Sequence, residues 1–173
     1  MRKSSKPLVS IIVNCFNGDK YLSECLRSIK NQTYKIWELI FWDNNSTDKS
    51  KKIFINNKNN KMKYYSSPRF LKLHQARNVA LKKTKGNLIC YLDVDDIWLP
   101  NKLLKQIKIY LKNKDAGIIY GNFFVQNENT FKKKKIFSKN KLPEGNIFED
   151  LLNAYVLSLS SIMFNKLILK KYK

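Results

Sequence analysis

The chain has 173 residues, 43% of them hydrophobic and 13% aromatic, which excludes a disordered chain and fits one domain with a sizeable core. No apolar run is long enough to span a membrane, and the apolar run after the basic N-terminus is too short for a signal peptide. The formal net charge of +21 is mostly lysine. It reflects either A/T-rich codons or an anionic partner, which would be nucleic acid, a membrane surface or a phosphorylated ligand.

Apolar segments alternate with segments of helical periodicity along most of the chain. In chain order, the predicted elements are a strand at Leu8–Cys15, a helix at Tyr21–Lys30 capped by Asp19, a strand at Trp37–Trp42, a helix at Thr47–Phe54, a strand at Lys61–Tyr65, a helix at His74–Lys83, a strand at Asn87–Leu92, a helix from Pro100 to Leu111 and a strand at Ala116–Tyr120. This alternation predicts an α/β fold with an open, mostly parallel sheet that carries helices on both faces. No repeat or composition shift marks a boundary, so we expect a single domain over residues 1–173.

The remainder of the chain has a less regular pattern. We expect Lys132–Lys135 to form a solvated hairpin tip, Ile147–Ala154 to form a helix and Leu157–Phe164 to form a strand.

Several residue types exclude whole classes of site. Cys15, Cys25 and Cys90 are odd in number and lack metal-ligand spacing, so we expect reduced thiols in a cytoplasmic protein. His74 is the only histidine, which excludes a histidine metal cluster, argues against a Ser-His-Asp hydrolase and favours a structural role for it. No P-loop or dinucleotide-binding glycine motif occurs in the sequence.

The strongest polar cluster is Asp93-Val94-Asp95-Asp96, directly after a predicted strand, in a chain with only 13 acidic residues. In open α/β sheets, ligands bind outside the carboxyl ends of the strands. Neighbouring carboxylates repel one another unless a cation neutralises them, and oxygen ligands without His or Cys suit Mg²⁺ or Mn²⁺ held together with substrate phosphates. The alternative is a cap for the helix near Pro100, but a cap needs one aspartate rather than three.

Two further clusters follow predicted strands. Asp43 and Asn44 are placed to present side-chain oxygens to the edge of a base, whereas Ser46–Asp48 is explained as the cap of the next helix. Asn14 and Phe16 follow the first strand, and Phe16 either lines a base pocket or belongs to the core.

Arg77 lies near the start of a predicted helix and is one of only four arginines. A guanidinium at a helix N-terminus suits a diphosphate. The alternative for Arg77 is a surface ion pair.

Four blocks of the sequence, in this order between Leu8 and Asn165, together resemble family 2 glycosyltransferases. They are VSIIVNCFNGDKYLSECLRSIKNQTY, ELIFWDNNSTDKS, ARN at positions 76–78, and GNLICYLDVDDIWLPNKL with its Asp-x-Asp motif. The resemblance implies a GT-A fold, which is Rossmann-like, a nucleotide-diphosphate-sugar donor and a divalent metal, Mn²⁺ or Mg²⁺. It also implies transfer of the sugar to an acceptor hydroxyl with inversion at the anomeric carbon.

The resemblance also implies roles for individual positions. Four residues match positions that hold the nucleotide base: Asn14, Phe16, Asp43 and Asn44. Asp93 matches a position near the ribose. Asp95 and Asp93 match the metal ligands, and Asp96 is expected beside them. Arg77 completes the expected nucleotide site.

The chain also departs from the family's pattern. The family often has a second aspartate where this chain has Asn44, which leaves the base preference open. A loop with Gly and Ser usually precedes Ala-Arg-Asn, but here the loop is Phe70–His74. The general base of the family lies downstream of the segment that SLSSIMFN resembles, beyond Lys173. We therefore expect a domain that is incomplete at its C-terminus, with no nameable catalytic base.

The resemblance places the protein in cell-surface polysaccharide or lipopolysaccharide synthesis, with a sugar or lipid-linked acceptor. We expect it in the cytoplasm, where its basic surface would allow peripheral contact with the inner membrane face. The alternatives are an inactive donor-binding fragment, a related GT-A nucleotidyltransferase and a basic nucleic-acid-binding module. The nucleotidyltransferase would need a Gly-rich loop after its first strand, and nucleic-acid binding has no recognition motif to support it.

Overall fold

A computed structural model describes residues 6–126, 133–135, 142–153 and 157–168. Its strands are β1 (Val9–Cys15), β2 (Trp37–Asp43), β3 (Met62–Ser66), β4 (Leu88–Tyr91), β5 (Ile118–Ile119), β6 (Phe124–Gln126), β7 (Lys133–Lys135) and β8 (Met163–Asn165). Its helices are α1 (Asp19–Lys30), α2 (Ser50–Asn57), α3 (Leu73–Leu81), α4 (Lys102–Lys112) and α5 (Phe148–Asn153), with a 3-10 turn at Leu159–Ser161. Among the described residues, no helix has the length and apolar character needed to cross a bilayer.

The main sheet has six strands in the order β3-β2-β1-β4-β8-β5. Strands β1 to β4 run parallel, and β8 runs antiparallel to β4 and β5 on either side of it. Strands β1 and β2 lie inside the sheet, which is why their sequences are nearly continuous apolar runs. The predicted open, mostly parallel sheet is therefore confirmed.

Helices cover both faces of this sheet, because successive side chains of a strand point to opposite faces. Val9, Ile11 and Val13 of β1 belong to the larger core, together with buried side chains of α1, α2 and α4. Ile12 of β1 belongs to a second core, in which Ala76 of α3 is buried. The three cysteines are buried and free, as expected from their number and spacing.

Two predicted helix starts are wrong, one because of a distant group and one because of a local turn. Asp19 does not cap α1: it is the first helical residue, and its backbone N–H donates to Asp48 Oδ2 at 2.9 Å. Helix α2 begins at Ser50 rather than Thr47, since Ser46 is held in a turn by donating its N–H to Asp43 Oδ1 at 2.8 Å.

Helix α4 begins at Lys102 rather than Pro100. The backbone carbonyl of Pro100 instead accepts a hydrogen bond from the N–H of Thr33 at 2.9 Å. Gln32 Oε1 accepts the N–H of Leu103 at 3.0 Å and thereby satisfies one donor of the first turn. The start of α4 is thus determined by the segment after α1.

Two predictions in the C-terminal part are also corrected. The lysine run is not a hairpin tip: Lys133–Lys135 forms β7, which pairs antiparallel with β6, and Lys132 lies outside the described residues. The predicted strand at Leu157–Phe164 begins as the 3-10 turn and becomes extended only at Met163. The predicted helix at Ile147–Ala154 is present as α5, and Ala154 lies outside the described residues.

Candidate functional site

The candidate site lies at the carboxyl ends of the parallel strands. The order of the sheet reverses between β1 and β4, and such a switch in strand order opens a crevice where ligands bind in α/β sheets. The register pairs Cys15 with Asp43, so the loops after β1 and β2 start side by side. The acidic segment that begins at Asp93 follows β4 on the other side of the switch.

Hydrogen bonds between side chains and backbone tie the loop after β1 to the loop after β2. Asn17 Oδ1 accepts the N–H of Thr47 at 2.9 Å, and Ser46 Oγ accepts the N–H of Asn17 at 3.0 Å. Asp48 accepts the N–H groups of Asp19 and Ser50, both at 2.9 Å. Asp48 is thus a cap shared by two helices, and the two loops form one support for the site.

Asp43 is 2% exposed and held at both oxygens. Oδ1 accepts the N–H of Ser46 at 2.8 Å, and Oδ2 accepts the hydroxyl of Tyr64 at 2.5 Å. Burial raises the pKa of Tyr64 to about 12, with the Asp43 carboxylate adding to the effect. Tyr64 therefore stays protonated and orients the carboxylate from the neighbouring strand.

Asn44 is 5% exposed, and its amide is paired twice with one backbone residue. Nδ2 donates to the carbonyl of Leu71 at 2.8 Å, and Oδ1 accepts the N–H of Leu71 at 3.1 Å. These two bonds hold the loop between β3 and α3 against the end of β2.

Phe16 is not part of the core, which removes one of its two interpretations. Its side chain is 49% exposed, and its ring meets that of Phe70, which is 55% exposed, edge to face with centroids 4.7 Å apart. Asn14, at the end of β1, is half-buried, and its Oδ1 is buried without a hydrogen-bond partner in the described part of the chain.

Arg77 of α3 reaches across to the loop after β4. Its guanidinium pairs with Asp93 Oδ1 at 2.6 Å and lies 5.9 Å from the ring centroid of Tyr91. The ion pair that was the alternative interpretation is therefore present, but it joins two of the predicted site residues. The buried Nε of Arg77 has no partner among the described residues.

The carboxylates of the acidic segment have different surroundings. Asp95 is exposed, and its side chain makes no hydrogen bond or ion pair with any described residue. Asp96 accepts a hydrogen bond from the hydroxyl of Ser160. Burial raises the pKa of Asp96, and the charges of Asp95 and Asp93 add to this rise against the opposing effect of Ser160.

The helix-cap alternative for this acidic segment does not hold. Helix α4 starts at Lys102 with Asn101 in the N-cap position, well past Asp96. No aspartate of the segment therefore caps that helix.

The residues present fit a divalent cation. No three His, Cys, Asp or Glu side chains of the described residues converge as a ready-made metal cage. Mg²⁺ and similar ions need only one or two carboxylates when substrate phosphates complete their coordination. Asp95 is an exposed carboxylate, and it lies beside the part-buried carboxylate of Asp96, whose pKa is raised by burial and further by the charges of Asp95 and Asp93. A cation stabilises such an arrangement.

Three residues of this site were missed by sequence reasoning. Phe70, Tyr64 and Ser160 each meet a predicted residue only through the fold. The only sequence signal was the unusual loop containing Phe70, where the resembling family has Gly and Ser.

The model of the family described as "Glycosyl transferase family 2" matches residues 10–173. Among the relatives is WfgD from Escherichia coli, a UDP-Glc:alpha-D-GlcNAc-diphosphoundecaprenol beta-1,3-glucosyltransferase. It is 31% identical over 165 residues, which cover 95% of this chain and 63% of the length of WfgD.

Solved structures share the fold, and two of them hold a nucleotide-sugar. S. aureus TarS 1–349 in complex with UDP-GlcNAc has a TM-score of 0.74 at 23% identity, covering 94% of this chain and 46% of its own. The mannosyltransferase PcManGT from Pyrobaculum calidifontis, in complex with GDP-Man and Mn²⁺, has a TM-score of 0.71 at 17% identity, covering 97% of this chain and 47% of its own. The chain thus spans about half the length of these structures and 63% of the length of the E. coli relative.

Proposed function

The chain belongs to glycosyl transferase family 2, as its motifs predicted, and from that membership we propose that it binds a nucleotide-diphosphate-sugar for transfer of the sugar to an acceptor hydroxyl. One observation carries the proposal furthest: Arg77 is paired with Asp93 at the switch in strand order, beside the carboxylates of Asp95 and Asp96. The guanidinium of Arg77 supplies a fixed positive charge for a diphosphate. The neighbouring carboxylates would hold a divalent metal ion bound to the same diphosphate.

The donor would lie along the carboxyl edge of the sheet. The proposed nucleotide-binding residues are Asn14, Phe16, Asp43, Asn44, Arg77 and Asp93. The buried Asn14 Oδ1 is an unused acceptor at the base end. Arg77 would add positive charge at the diphosphate end.

Asp95 and Asp93 are the proposed ligands of Mn²⁺ or Mg²⁺. Such an ion, when bound, supplies positive charge that stabilises the diphosphate as a leaving group. Asp95 is available for this role because it is exposed and makes no hydrogen bond or ion pair with described residues. Mn²⁺ accompanies the donor in the mannosyltransferase structure of similar fold.

The proposed reaction is direct displacement with inversion. It requires a carboxylate within hydrogen-bond reach of the acceptor hydroxyl to take its proton. We assign that role to none of the described residues: Glu149 and Asp150 lie on α5, before the segment that the family's base is expected to follow. Donor binding without transfer would identify the chain as a donor-binding unit.

The donors and the acceptor to test first are those named for the similar proteins. UDP-Glc and a sugar on a lipid diphosphate are named for the E. coli relative, UDP-GlcNAc for TarS and GDP-Man for PcManGT. A lipid-linked acceptor fits a role in the assembly of cell-surface polysaccharide or lipopolysaccharide.

We also propose peripheral contact with the cytoplasmic membrane face through α4. Its exposed side carries Lys105, Lys108 and Lys112, with exposed Ile109 and Leu111 beside them. Lysines near an anionic leaflet contribute roughly 1 kcal/mol each. Vesicles containing anionic lipid should retain the protein at low salt and release it at high salt, and absence from such vesicles at low salt would contradict this contact.

Thermal unfolding with a panel of donors tests the proposed function. UDP-Glc, UDP-GlcNAc and GDP-Man are each added with Mn²⁺, because a ligand of the native state at about 100-fold above its Kd stabilises by about 2.7 kcal/mol. At least one donor should raise the melting temperature of the wild type and of Asp115→Asn, whose site is exposed before β5 at the opposite edge of the sheet. The same donor should not stabilise Asp95→Asn, and lack of a shift with every donor would contradict the proposal.

A further inference from the structure

The loop between β3 and α3 brings a second aromatic ring to the base end of the site. Phe16 and Phe70 contact edge to face, with 64° between their planes, and both rings are about half exposed. Neither ring belongs to the two buried cores. An edge-to-face pair leaves ring faces free, so the pair presents an aromatic surface to solvent beside the buried Asp43.

The backbone on either side of Phe70 is anchored at close range. Asn44 holds Leu71 by two hydrogen bonds of 2.8 and 3.1 Å. On the other side, Ser67 donates its N–H to the carbonyl of Asp43 at 2.8 Å and its hydroxyl to the carbonyl of Arg69 at 2.6 Å. Leu71 also packs against the smaller core. Phe70 is therefore held in place by the end of β2 rather than carried on a free loop.

From these contacts we propose that Phe70 and Phe16 together form an aromatic platform on whose free ring faces the nucleobase of the donor stacks, and that Asn44 is the positioning residue that keeps Phe70 in this platform. This inference rests on the proposed function. Asn44 then acts through Leu71 and Phe70 and not by reading the edge of the base, because its amide is already paired with the backbone.

The chemistry of stacking determines what this platform binds. Every base has a π-face, so stacking on aromatic rings binds different bases with little selectivity. The platform therefore contributes affinity for the nucleoside end of the donor, and pyrophosphate alone gains nothing from it.

The test compares UDP, GDP and inorganic pyrophosphate, each with Mn²⁺, by calorimetric titration. Phe70→Ala and Phe70→Leu should each weaken nucleotide binding about tenfold or more and leave pyrophosphate binding unchanged. Phe70→Leu keeps apolar bulk but has no ring, whereas Phe70→Tyr keeps the ring and should bind nearly as the wild type does. Ile55→Ala is the matched control, because Ile55 is an apolar residue of similar exposure, 48%, on α2.

A double-mutant cycle tests the positioning role of Asn44. Asn44→Asp removes the donor to the carbonyl of Leu71 and should weaken UDP binding in the wild-type background. In the Phe70→Ala background, the same change should have little further effect if Asn44 acts through Phe70. Additive losses, or an equal loss of pyrophosphate binding, would contradict that role.

The outcomes separate this inference from the function on which it rests. UDP or GDP binding that is unchanged by Phe70→Ala would overturn the aromatic platform alone. A wild-type protein that binds neither nucleotide would contradict the proposed function, and the platform with it.

Discussion

The hydroxyl of Ser160 donates a hydrogen bond to the carboxylate of Asp96, a contact across 64 residues of sequence. Ser160 also accepts the N–H of Asp93 at 3.3 Å, and its carbonyl accepts the indole N–H of Trp98 at 2.7 Å. Ser160, in the 3-10 turn that precedes β8, thus holds the acidic loop after β4 at both Asp93 and Asp96.

Ser160→Ala should destabilise the protein by about 1–3 kcal/mol, because it leaves the part-buried carboxylate of Asp96 without its donor. Urea unfolding at neutral pH measures the change. Ser23→Ala, at an exposed position of α1, should stay within about 0.5 kcal/mol of the wild type. Equal midpoints for Ser160→Ala and the wild type would show that this fastening contributes nothing.

Arg77→Gln should weaken binding of UDP with Mn²⁺ by about tenfold, since it removes the positive charge proposed at the diphosphate. Arg27→Gln is the control, because Arg27 is an exposed arginine paired with Glu24 on α1 at 3.1 Å. Calorimetric titration distinguishes the two variants. If both bind UDP like the wild type, the ion pair of Arg77 with Asp93 is only structural.

Glu38 should make stability depend on pH. It is 6% exposed on β2 and accepts hydrogen bonds at 2.6 to 2.9 Å from Ser10, Lys63 and the N–H of Lys85. Burial alone raises the pKa of Glu38, but these hydrogen bonds, with that from Lys63 the largest, bring it below its ordinary value of 4.5. The unfolded chain then binds the proton more tightly than the native state.

The stabilisation from Glu38 should therefore be fully present above pH 4.5 and be lost as the pH falls below it. Urea unfolding between neutral and acidic pH should show this loss in the wild type and a smaller one in Glu38→Gln, which is already less stable at neutral pH. Glu24→Gln, at an exposed position of α1, should keep the wild-type slope. The same slope in Glu38→Gln as in the wild type would contradict the prediction.

Gly86→Ala should destabilise the protein by about 1–3 kcal/mol through overpacking. A Cβ at Gly86 would lie 2.5 Å from the backbone oxygen of Leu8, which cannot move without disturbing the start of β1. Gly121→Ala is the matched control, because a Cβ there meets nothing within 4 Å. Thermal unfolding of both variants measures the difference, and equal stability would contradict the close approach at Gly86.

The parts of the fold that sequence reasoning predicted are those with local causes. Strands β1 and β2 are apolar throughout because both faces are covered, and the acidic segment stands out because it follows directly after β4. Helix starts were less predictable, since the N-termini of α1 and α2 are both satisfied by Asp48, from one loop.

Contacts between distant segments were not predictable in the same way. Strand β8 has three residues and enters the sheet between β4 and β5 from far along the chain. Phe70 and Ser160 reach the candidate site only because the sheet order brings their loops to Phe16 and Asp96. A single sequence contains no periodicity that reports such pairs.

Titration of UDP into the protein, with Mn²⁺ and again with a chelator in place of Mn²⁺, tests whether the carboxyl edge of the sheet is a metal-dependent donor site. A donor site built on Asp95 predicts binding that requires the metal and that is lost in Asp95→Asn but kept in Asp115→Asn. Binding that changes with neither the metal nor Asp95→Asn, or no binding by the wild type, would show that no such site is built on Asp95.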